Sequence, residues 1–118
     1  MAQGLEYFIG DRRTQHLQKA AEFIEAAARK GHPDAQCMIA KMYMGGQGVG
    51  RDCQAALFWL ENADETNQPD SAFEIAKFYD NGVVVNKVTS KADQYLQEAA
   101  SLGHADSIEA LRRRSNIR

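Results

Sequence analysis

The sequence predicts an all-α fold, a right-handed α-solenoid of stacked antiparallel helix hairpins. Three observations support this prediction: a motif returns every 36 residues, apolar residues inside each unit have helical spacing, and glycines separate the helical segments. A period between 20 and 50 residues is typical of stacked repeats. Each unit of such an array buries its apolar surface against its neighbours, so the array is the stable structure.

The repeat is visible in one short motif and in several columns of the sequence. GHPDA begins at Gly31, NQPDS begins 36 residues later at Asn67, and GHADS begins another 36 residues later at Gly103. Five further columns keep the same step: Tyr7, Tyr43 and Tyr79; Gly10, Gly46 and Gly82; Ala20, Ala56 and Ala92; Phe23, Trp59 and Tyr95; and Ala27, Ala63 and Ala99. The register predicts one domain over residues 1–118, made of a partial repeat 1–32, full repeats 33–68 and 69–103, and a terminal helix 104–114.

The first full repeat contains two predicted helices, which we call first-type and second-type in chain order. Pro33 suits the first turn of the first-type helix, and the glycine cluster 45–50 ends that helix. Asp52 is a natural N-cap for the second-type helix. Helical spacing is found in both helices, at Ala35, Ile39, Ala40 and Tyr43 and at Ala56, Trp59, Leu60 and Ala63. The unit is therefore predicted to be a helix hairpin.

The second full repeat follows the same design. Helices are predicted over 69–80 and 89–101, with Gly82 at the turn and Thr89 or Ser90 as the cap of the second-type helix. Alanines recur where helices are expected to touch, because a close approach of two helix axes leaves no room for a large side chain. The column of Phe23, Trp59 and Tyr95 is expected to fill the space between successive hairpins.

The two ends are predicted to carry incomplete units. A first-type stub from Gln3 to Ile9 is expected to precede a second-type helix from Thr14 to Lys30, and a first-type helix starts at His104. Ends of solenoids normally need caps. Apolar residues of the stub, Leu5, Phe8 and Ile9, predict self-association or partner docking there. The C-terminal RRRSNIR could contact nucleic acid or an acidic partner, but such a run more often solubilises an end and complements a helix C-terminus.

Composition argues against several function classes. The 44% hydrophobic content is enough for a core, and a net charge of -2 gives no basic field for nucleic acid or an anionic membrane. The N-terminal MAQGLEYFIG lacks the features of a signal peptide, and no stretch is long enough to cross a bilayer. A soluble, cytoplasmic protein with reduced thiols at Cys37 and Cys53 is expected.

The ordered motif of a small residue, Leu/Ile-Ala, Tyr, Gly-x-Gly-Val, Asp, Ala, Trp and Ala resembles the Sel1-like repeat family, which is related to the tetratricopeptide repeat. The stretch DAQCMIAKMYMGGQGVGRDCQAALFWLENA from Asp34 matches well. The next copy, DSAFEIAKFYDNGVVVNKVTSKADQYLQEAA, departs at Asn81 and at Val88, which stands in the Asp position, and the leading copy has Arg13 in place of the loop valine. The resemblance spans residues 4–111 and implies an adaptor that holds other proteins together.

Candidate binding residues lie on the first-type helices, which are expected to line the concave side of the solenoid. The candidates are an acidic column of Asp34, Asp70 and Asp106, a basic column of Lys41, Lys77 and Arg113, the intervening Cys37, Phe73 and Glu109, and Met44 and Asp80 one turn beyond. The basic column could hold carboxylates or backbone carbonyls of an extended peptide, with Phe73 as an apolar anchor. In the alternative interpretation, the aspartates interact with helix dipoles and the lysines are simply solvated.

Catalysis is not indicated. GGQGVG follows a helix and lacks the Gly-Lys-Ser/Thr of a phosphate-binding loop, so its glycines are assigned to the turn. His32 and His104 lie in connections between repeats, where a histidine can cap a helix or form a hydrogen bond. Cys37 near a histidine is the remaining nucleophile candidate, but the sequence supplies no orienting group. Two cysteines and three histidines do not have the spacing of a zinc site.

The predicted function is a protein-binding adaptor or scaffold that is not an enzyme and uses no cofactor or metal. Its partner would be a protein or peptide. The alternative is a dedicated inhibitor or regulatory subunit, of the immunity type, that blocks one enzyme or toxin. An adaptor should bridge two proteins at once, whereas an inhibitor should form a one-to-one complex.

Overall fold

The structure, a computed structural model, describes residues 2–116, with side chains described at position 13 and from 15 to 115. Within this range the chain forms six α-helices and no strand, which confirms the predicted all-α fold. The helices are α1 (Ala2–Arg29), α2 (Pro33–Gly45), α3 (Cys53–Asp64), α4 (Pro69–Asn81), α5 (Thr89–Ser101) and α6 (Ala105–Asn116). Each helix packs against the next along the chain, so α2–α3 and α4–α5 are stacked hairpins between α1 and α6.

The N-terminal helix differs from the prediction. α1 is continuous from Ala2 to Arg29, so the turn predicted between a stub and a separate helix from Thr14 is absent from the described chain. Gly10 is followed by Asp-Arg-Arg-Thr, whereas Gly46 is followed by Gln-Gly-Val-Gly. A single glycine costs a helix only about 1 kcal/mol, which a long helix tolerates. The side chains of Leu5, Phe8 and Ile9 lie outside the described residues.

The two hairpins turn with the same backbone geometry. Gly46 and Gly82 each cap a first-type helix in the left-handed conformation, both with φ 66° and ψ 36°. Asp52 N–H donates to the Tyr43 carbonyl at 3.0 Å, and the equivalent Val88 N–H donates to the Tyr79 carbonyl at 3.1 Å. These bonds place the start of each second-type helix beside the end of the preceding first-type helix.

The core is continuous between repeats. One cluster joins both hairpins and contains Cys37, Ala40, Ala56, Leu57, Leu60, Ile75 and Phe78. A second joins α1 to α2 through Ala21, Ala28, Ile39 and Met42, and a third joins α4, α5 and α6 around Ala76, Ala92 and Leu96. Burial of each leucine or isoleucine contributes about 1.5 to 3 kcal/mol, and much of that burial is provided by a neighbouring helix.

The aromatic column is only partly buried. Trp59 packs against the cluster that joins α1 to α2 and against the cluster that joins the two hairpins. Tyr95 packs against the cluster that joins the two hairpins and against the cluster that joins α4, α5 and α6. Phe23, in contrast, is 77% exposed. No hairpin precedes α1 in the described chain, so the surface that Trp59 and Tyr95 pack against has no counterpart beside Phe23. The prediction is confirmed for Trp59 and Tyr95 and is wrong for Phe23.

The second-type helices begin differently. The Asp52 side chain accepts from the Ala55 N–H at 3.1 Å, which confirms the predicted cap of α3. At α5 the N-cap is Val88, which has no side-chain bond, and Thr89 is the first residue inside the helix. The prediction that Thr89 or Ser90 caps α5 is wrong because the Val88–Tyr79 backbone bond fixes the cap at the position of Asp52.

We therefore expect Val88→Asp to stabilise the protein by about 0.5 to 2 kcal/mol, since it supplies the missing acceptor for the first turn of α5. Urea denaturation measures the change. Asp52→Ala is the matched control and should lose a similar amount. A Val88→Asp variant no more stable than the parent, alongside a destabilised Asp52→Ala variant, would contradict this account.

Candidate functional site

The candidate residues lie on α2, α4 and α6, and we call the surface that these residues form the first-helix face. Asp34 Oδ1 accepts from Gln68 Nε2 at 3.1 Å, and Asp70 Oδ1 lies 2.7 Å from His104 Nε2. Both bonds join residues 34 apart in sequence. The acidic column therefore ties each repeat to the next, a role that spacing alone did not reveal.

Asp106 occupies the same column at the last helix. It lies in the first turn of α6, is exposed and has no described hydrogen-bond partner. A carboxylate in the first turn interacts favourably with the helix dipole. The interpretation that the aspartates serve helix N-termini thus describes Asp106, whereas Asp34 and Asp70 also bond the following repeat.

The basic column remains accessible. Lys41 Nζ lies 3.8 Å from Asp70, Lys77 Nζ lies 3.4 Å from Glu74, and Arg113 Nε lies 3.5 Å from Glu109. The side chains of the three basic residues are 50%, 49% and 76% exposed, respectively. The pairs of Lys41 and Arg113 are exposed on both sides and contribute about 0 to 1 kcal/mol, so a partner carboxylate can replace them at little cost. The Glu74 side chain that pairs with Lys77 is only 12% exposed, so that pair is held more firmly.

The residues between the charged columns are less uniform. Phe73 is partly buried, with its ring centroid 4.8 Å from that of His104 and Lys77 Nζ 4.5 Å from its centre. Met44 is partly buried against the central cluster. Asp80 is bonded to Arg114, which also bonds Asp93. Asp80 is therefore part of the packing of α6 onto the last hairpin.

Cys37 lies in the core, with only 3% of its surface exposed. Burial raises the pKa of its thiol to about 11, an effect that nearby Lys41 opposes and that Asp70 and Glu74 reinforce. The thiolate is the reactive form of cysteine, so this environment makes Cys37 inert. Cys37 thus lies in the wall of an opening that Asp34 and Lys41 also line, and its burial argues against its candidacy as a nucleophile.

Ser107, His104 and Asp70 are connected like a hydrolase triad. His104 Nδ1 accepts from the Ser107 N–H at 3.2 Å and lies 2.9 Å from Ser107 Oγ. Nδ1 therefore carries no proton, and Nε2–H donates to Asp70. Ser107 is completely buried. Substrate cannot reach its hydroxyl, and His104 is instead the expected helix-capping histidine.

The preceding repeat supports the structural role of this connection. Gln68 Oε1 accepts from the Ser71 N–H at 3.1 Å while its Nε2 donates to Asp34. An amide makes the same two connections as His104 but cannot act as a general base. The shared function of Gln68 and His104 is to cap one helix and bond the previous one. His32 makes no side-chain cap bond.

A pair of carboxyl groups connects the second-type helices. The pKa of Glu98 is raised to about 7 by its hydrogen bond with Asp64, by burial and by the charge of Asp64. Asp64 Oδ1 and Glu98 Oε2 are buried atoms that have no hydrogen-bond partner unless one of the two carboxyl groups carries a proton. Lys91, Gln94 and Tyr95 line the same opening, which has a volume of about 310 Å³. We infer that one proton shared by Glu98 and Asp64 satisfies both carboxyl groups.

The fold and the exposed ionic face define a helical-repeat scaffold. A family model described as Sel1 repeat matches residues 1–32, 33–63 and 69–104. The chain belongs to the Sel1 repeat family. Proteins of this family generally mediate protein–protein interactions. A comparison with curated proteins gave no match.

Two solved structures are similar to the chain. A Sel1 repeat protein from Oxalobacter formigenes has a TM-score of 0.74 and 30% identity, over 76% of this chain and 37% of its own. A protective antigen of uropathogenic Escherichia coli with an SLR fold has a TM-score of 0.77 and 27% identity, over 90% of this chain and 24% of its own. This chain thus spans about a third and a quarter of the two proteins.

None of the helices in residues 2–116 has both the length and the hydropathy needed to cross a bilayer. Within the described part of the chain, no group of three or more histidine, cysteine, aspartate or glutamate side chains could hold a metal ion. Cys37 and Cys53 are both free thiols.

The thiols give one test of the site. We expect 5,5′-dithiobis(2-nitrobenzoic acid) to label the partly buried Cys53 first and Cys37 at least about a hundredfold more slowly, since a pKa raised by two units lowers the thiolate fraction by that factor. Labelling of the Cys53→Ala and Cys37→Ala variants shows which cysteine reacts in the fast phase and which in the slow phase. Rapid labelling of Cys37 in folded Cys53→Ala protein would argue for an activated thiol.

The carboxyl pair gives a second test. The folded protein holds the Glu98 proton to about pH 7, whereas an ordinary glutamate releases it near 4.5, so stability should fall as pH rises between these values. Glu98→Gln should weaken this pH dependence, because the amide can donate to Asp64 at any pH. Urea unfolding at pH 5 and pH 8 measures the change in the free energy of unfolding with pH. Glu65→Gln, at an exposed position, is the control and should leave this change as it is in the parent. Parallel changes in Glu98→Gln and the parent would exclude the shared proton.

Proposed function

We propose that this chain is a non-catalytic adaptor that binds an extended segment of a partner protein along the first-helix face. The main support for this proposal is the basic column, in which three successive first-type helices each present an exposed cation. The column runs from α2 to α4 to α6, in the direction in which the repeats stack. An extended chain with carboxylates or free carbonyls can contact all three cations.

The proposal is consistent with the exposure of these cations to solvent. Lys41 and Lys77 contact carboxylates at 3.8 and 3.4 Å with about half of each side chain in solvent. A partner carboxylate that contacts one of these cations away from solvent contributes more binding free energy than breaking the internal ion pair costs. Phe73, under Lys77, adds an apolar contact at the middle of the column. A cytoplasmic location, where free thiols stay reduced, is part of the proposal.

Charge reversal tests the proposal. Lys41→Glu/Lys77→Glu should reduce partner binding about tenfold or more, because it replaces attraction by repulsion at two adjacent helices. Quantitative affinity capture from the native cell, followed by mass spectrometry, identifies the partners that are lost. The control variant is Lys30→Glu/Lys87→Glu. It changes the net charge by the same amount, at two exposed positions that lie outside the first-type helices.

The comparison has clear outcomes. Proteins lost with the Lys41/Lys77 variant but kept with the Lys30/Lys87 variant identify specific partners. Unchanged capture with the fold intact would remove the basic column from the binding surface. Native mass spectrometry of the purified complex then distinguishes an adaptor, which holds two different proteins at once, from an inhibitor, which forms a one-to-one complex.

A further inference from the structure

An open pocket lies beside the first-helix face, between the two hairpin loops. Met44 at the end of α2, Cys53 at the start of α3 and Phe78 on α4 line it, and Val83 contributes from the α4–α5 loop. Met44 and Phe78 also belong to or pack on the central core cluster. The pocket wall is therefore held by the packing of one repeat on the next.

The size of the pocket limits what it can accept. Its volume is about 190 Å³. A cavity of about 150 Å³ accommodates a benzene ring, whereas small-molecule sites typically measure about 300 to 1,000 Å³. The pocket thus matches one bulky apolar side chain and is too small for an ordinary cofactor or drug-sized ligand.

The polar part of the lining is cationic. Arg51 and Lys77 line the pocket together with Asn81, and no carboxylate is among the described residues that line it. Arg51 forms no ion pair within the described chain and is exposed. Lys77 Nζ lies 3.4 Å from the Glu74 carboxylate and 4.5 Å from the centre of the Phe73 ring, with about half of its side chain in solvent. A ligand with a carboxylate beside its apolar group is therefore complementary to this lining.

The loop at the pocket edge carries an unusual backbone conformation. Val84 has φ 68°, the left-handed region, at the repeat position where Gly48 has φ 78°. A β-branched residue in this region is strained, at a cost of about 1 to 3 kcal/mol. Val83 and Val84 are also 41% and 46% exposed. The second loop thus holds two apolar side chains in solvent where the first loop has Gln47 and Gly48.

We propose that the pocket formed by Met44, Cys53, Phe78 and Val83 binds one bulky apolar side chain of a partner protein, next to an acidic residue or terminal carboxylate that contacts Arg51 and Lys77. Val83 contacts the inserted side chain from the loop. This inference deepens the proposed function by adding an anchor at one edge of the first-helix face.

Cys53 allows the pocket to be probed directly. Its thiolate exchanges with a fragment disulfide, forms a protein–fragment disulfide and releases the other half of the reagent as a thiol. The probes are a fragment with a phenyl ring and a carboxylate, its primary-amide isostere, and a carboxylate fragment without the ring. Intact-mass spectrometry at increasing 2-mercaptoethanol measures how strongly each fragment is retained, and peptide mapping locates it on Cys53.

The phenyl carboxylate should withstand about threefold to fivefold more reductant than the amide, the size expected from exposed ionic contacts. Arg51→Gln should remove most of this preference, with Lys77→Gln as a second variant and Lys87→Gln as the matched control. Thermal denaturation verifies that each variant folds. Equal retention of acid and amide, or of fragments with and without the ring, would overturn the proposal.

The two proposals fail separately. Arg51 and Cys53 lie outside the basic column, so the fragment experiment does not depend on Lys41. A carboxylate preference at Cys53 with partner capture unaffected by Lys41/Lys77 reversal would keep the pocket and reject the basic column. Loss of partners without any fragment preference would keep the proposed function and reject the pocket.

Discussion

The close packing of each helix on the next through buried alanines is the constraint on which the rest of the structure depends. Ala40, Ala56, Ala63, Ala92 and Ala99 are completely buried, and Ala76 is 1% exposed. A larger side chain at these positions would separate the helices and open voids around the branched residues between them. The spacing of the first-type helices follows from this packing. The basic column and the pocket are therefore properties of the stack and would not exist on an isolated hairpin.

The same constraint shows why the two ends of the described chain differ. At α6, Arg112 stands in the column of Ala40 and Ala76, and Arg114 stands in the column of Met42 and Phe78. Arginine at an alanine contact position prevents another helix from packing as closely there, and Arg114 instead turns back to Asp80 and Asp93. The exposed surface of α6 thus carries arginines at packing positions of the earlier helices, together with the exposed Ile108. Phe23 on α1 has no comparable replacement.

The repeat period was enough to predict the helices, the hairpins and the Asp52 cap, because each depends on local sequence and on a pattern that recurs. It was not enough where one copy departs from the others. Gly10 alone does not break α1, and Val88 keeps a cap position that its side chain cannot serve. At the candidate site, the exposed basic column could be predicted from spacing, whereas burial of Cys37 could not, because its environment comes from helices of two repeats. The bonds from Asp34 to Gln68 and from Asp70 to His104 also required three dimensions.

Those inter-repeat bonds decide which charges remain available to a partner. Asp34 and Asp70 each accept a hydrogen bond from the following repeat. These bonds hold the start of α4 against α2 and the start of α6 against α4. Lys41 and Arg113 have only exposed surface pairs, Lys77 pairs with the mostly buried Glu74, and Arg51 has no ion pair among the described residues. In these two bonds the first-type helix supplies the acceptor, while the exposed cations of the basic column and Arg51 keep donors that face solvent. A partner that supplies carboxylates or carbonyls can bind without breaking the bonds that order the repeats, whereas a cationic partner would have to compete with Gln68 and His104 for the same aspartates.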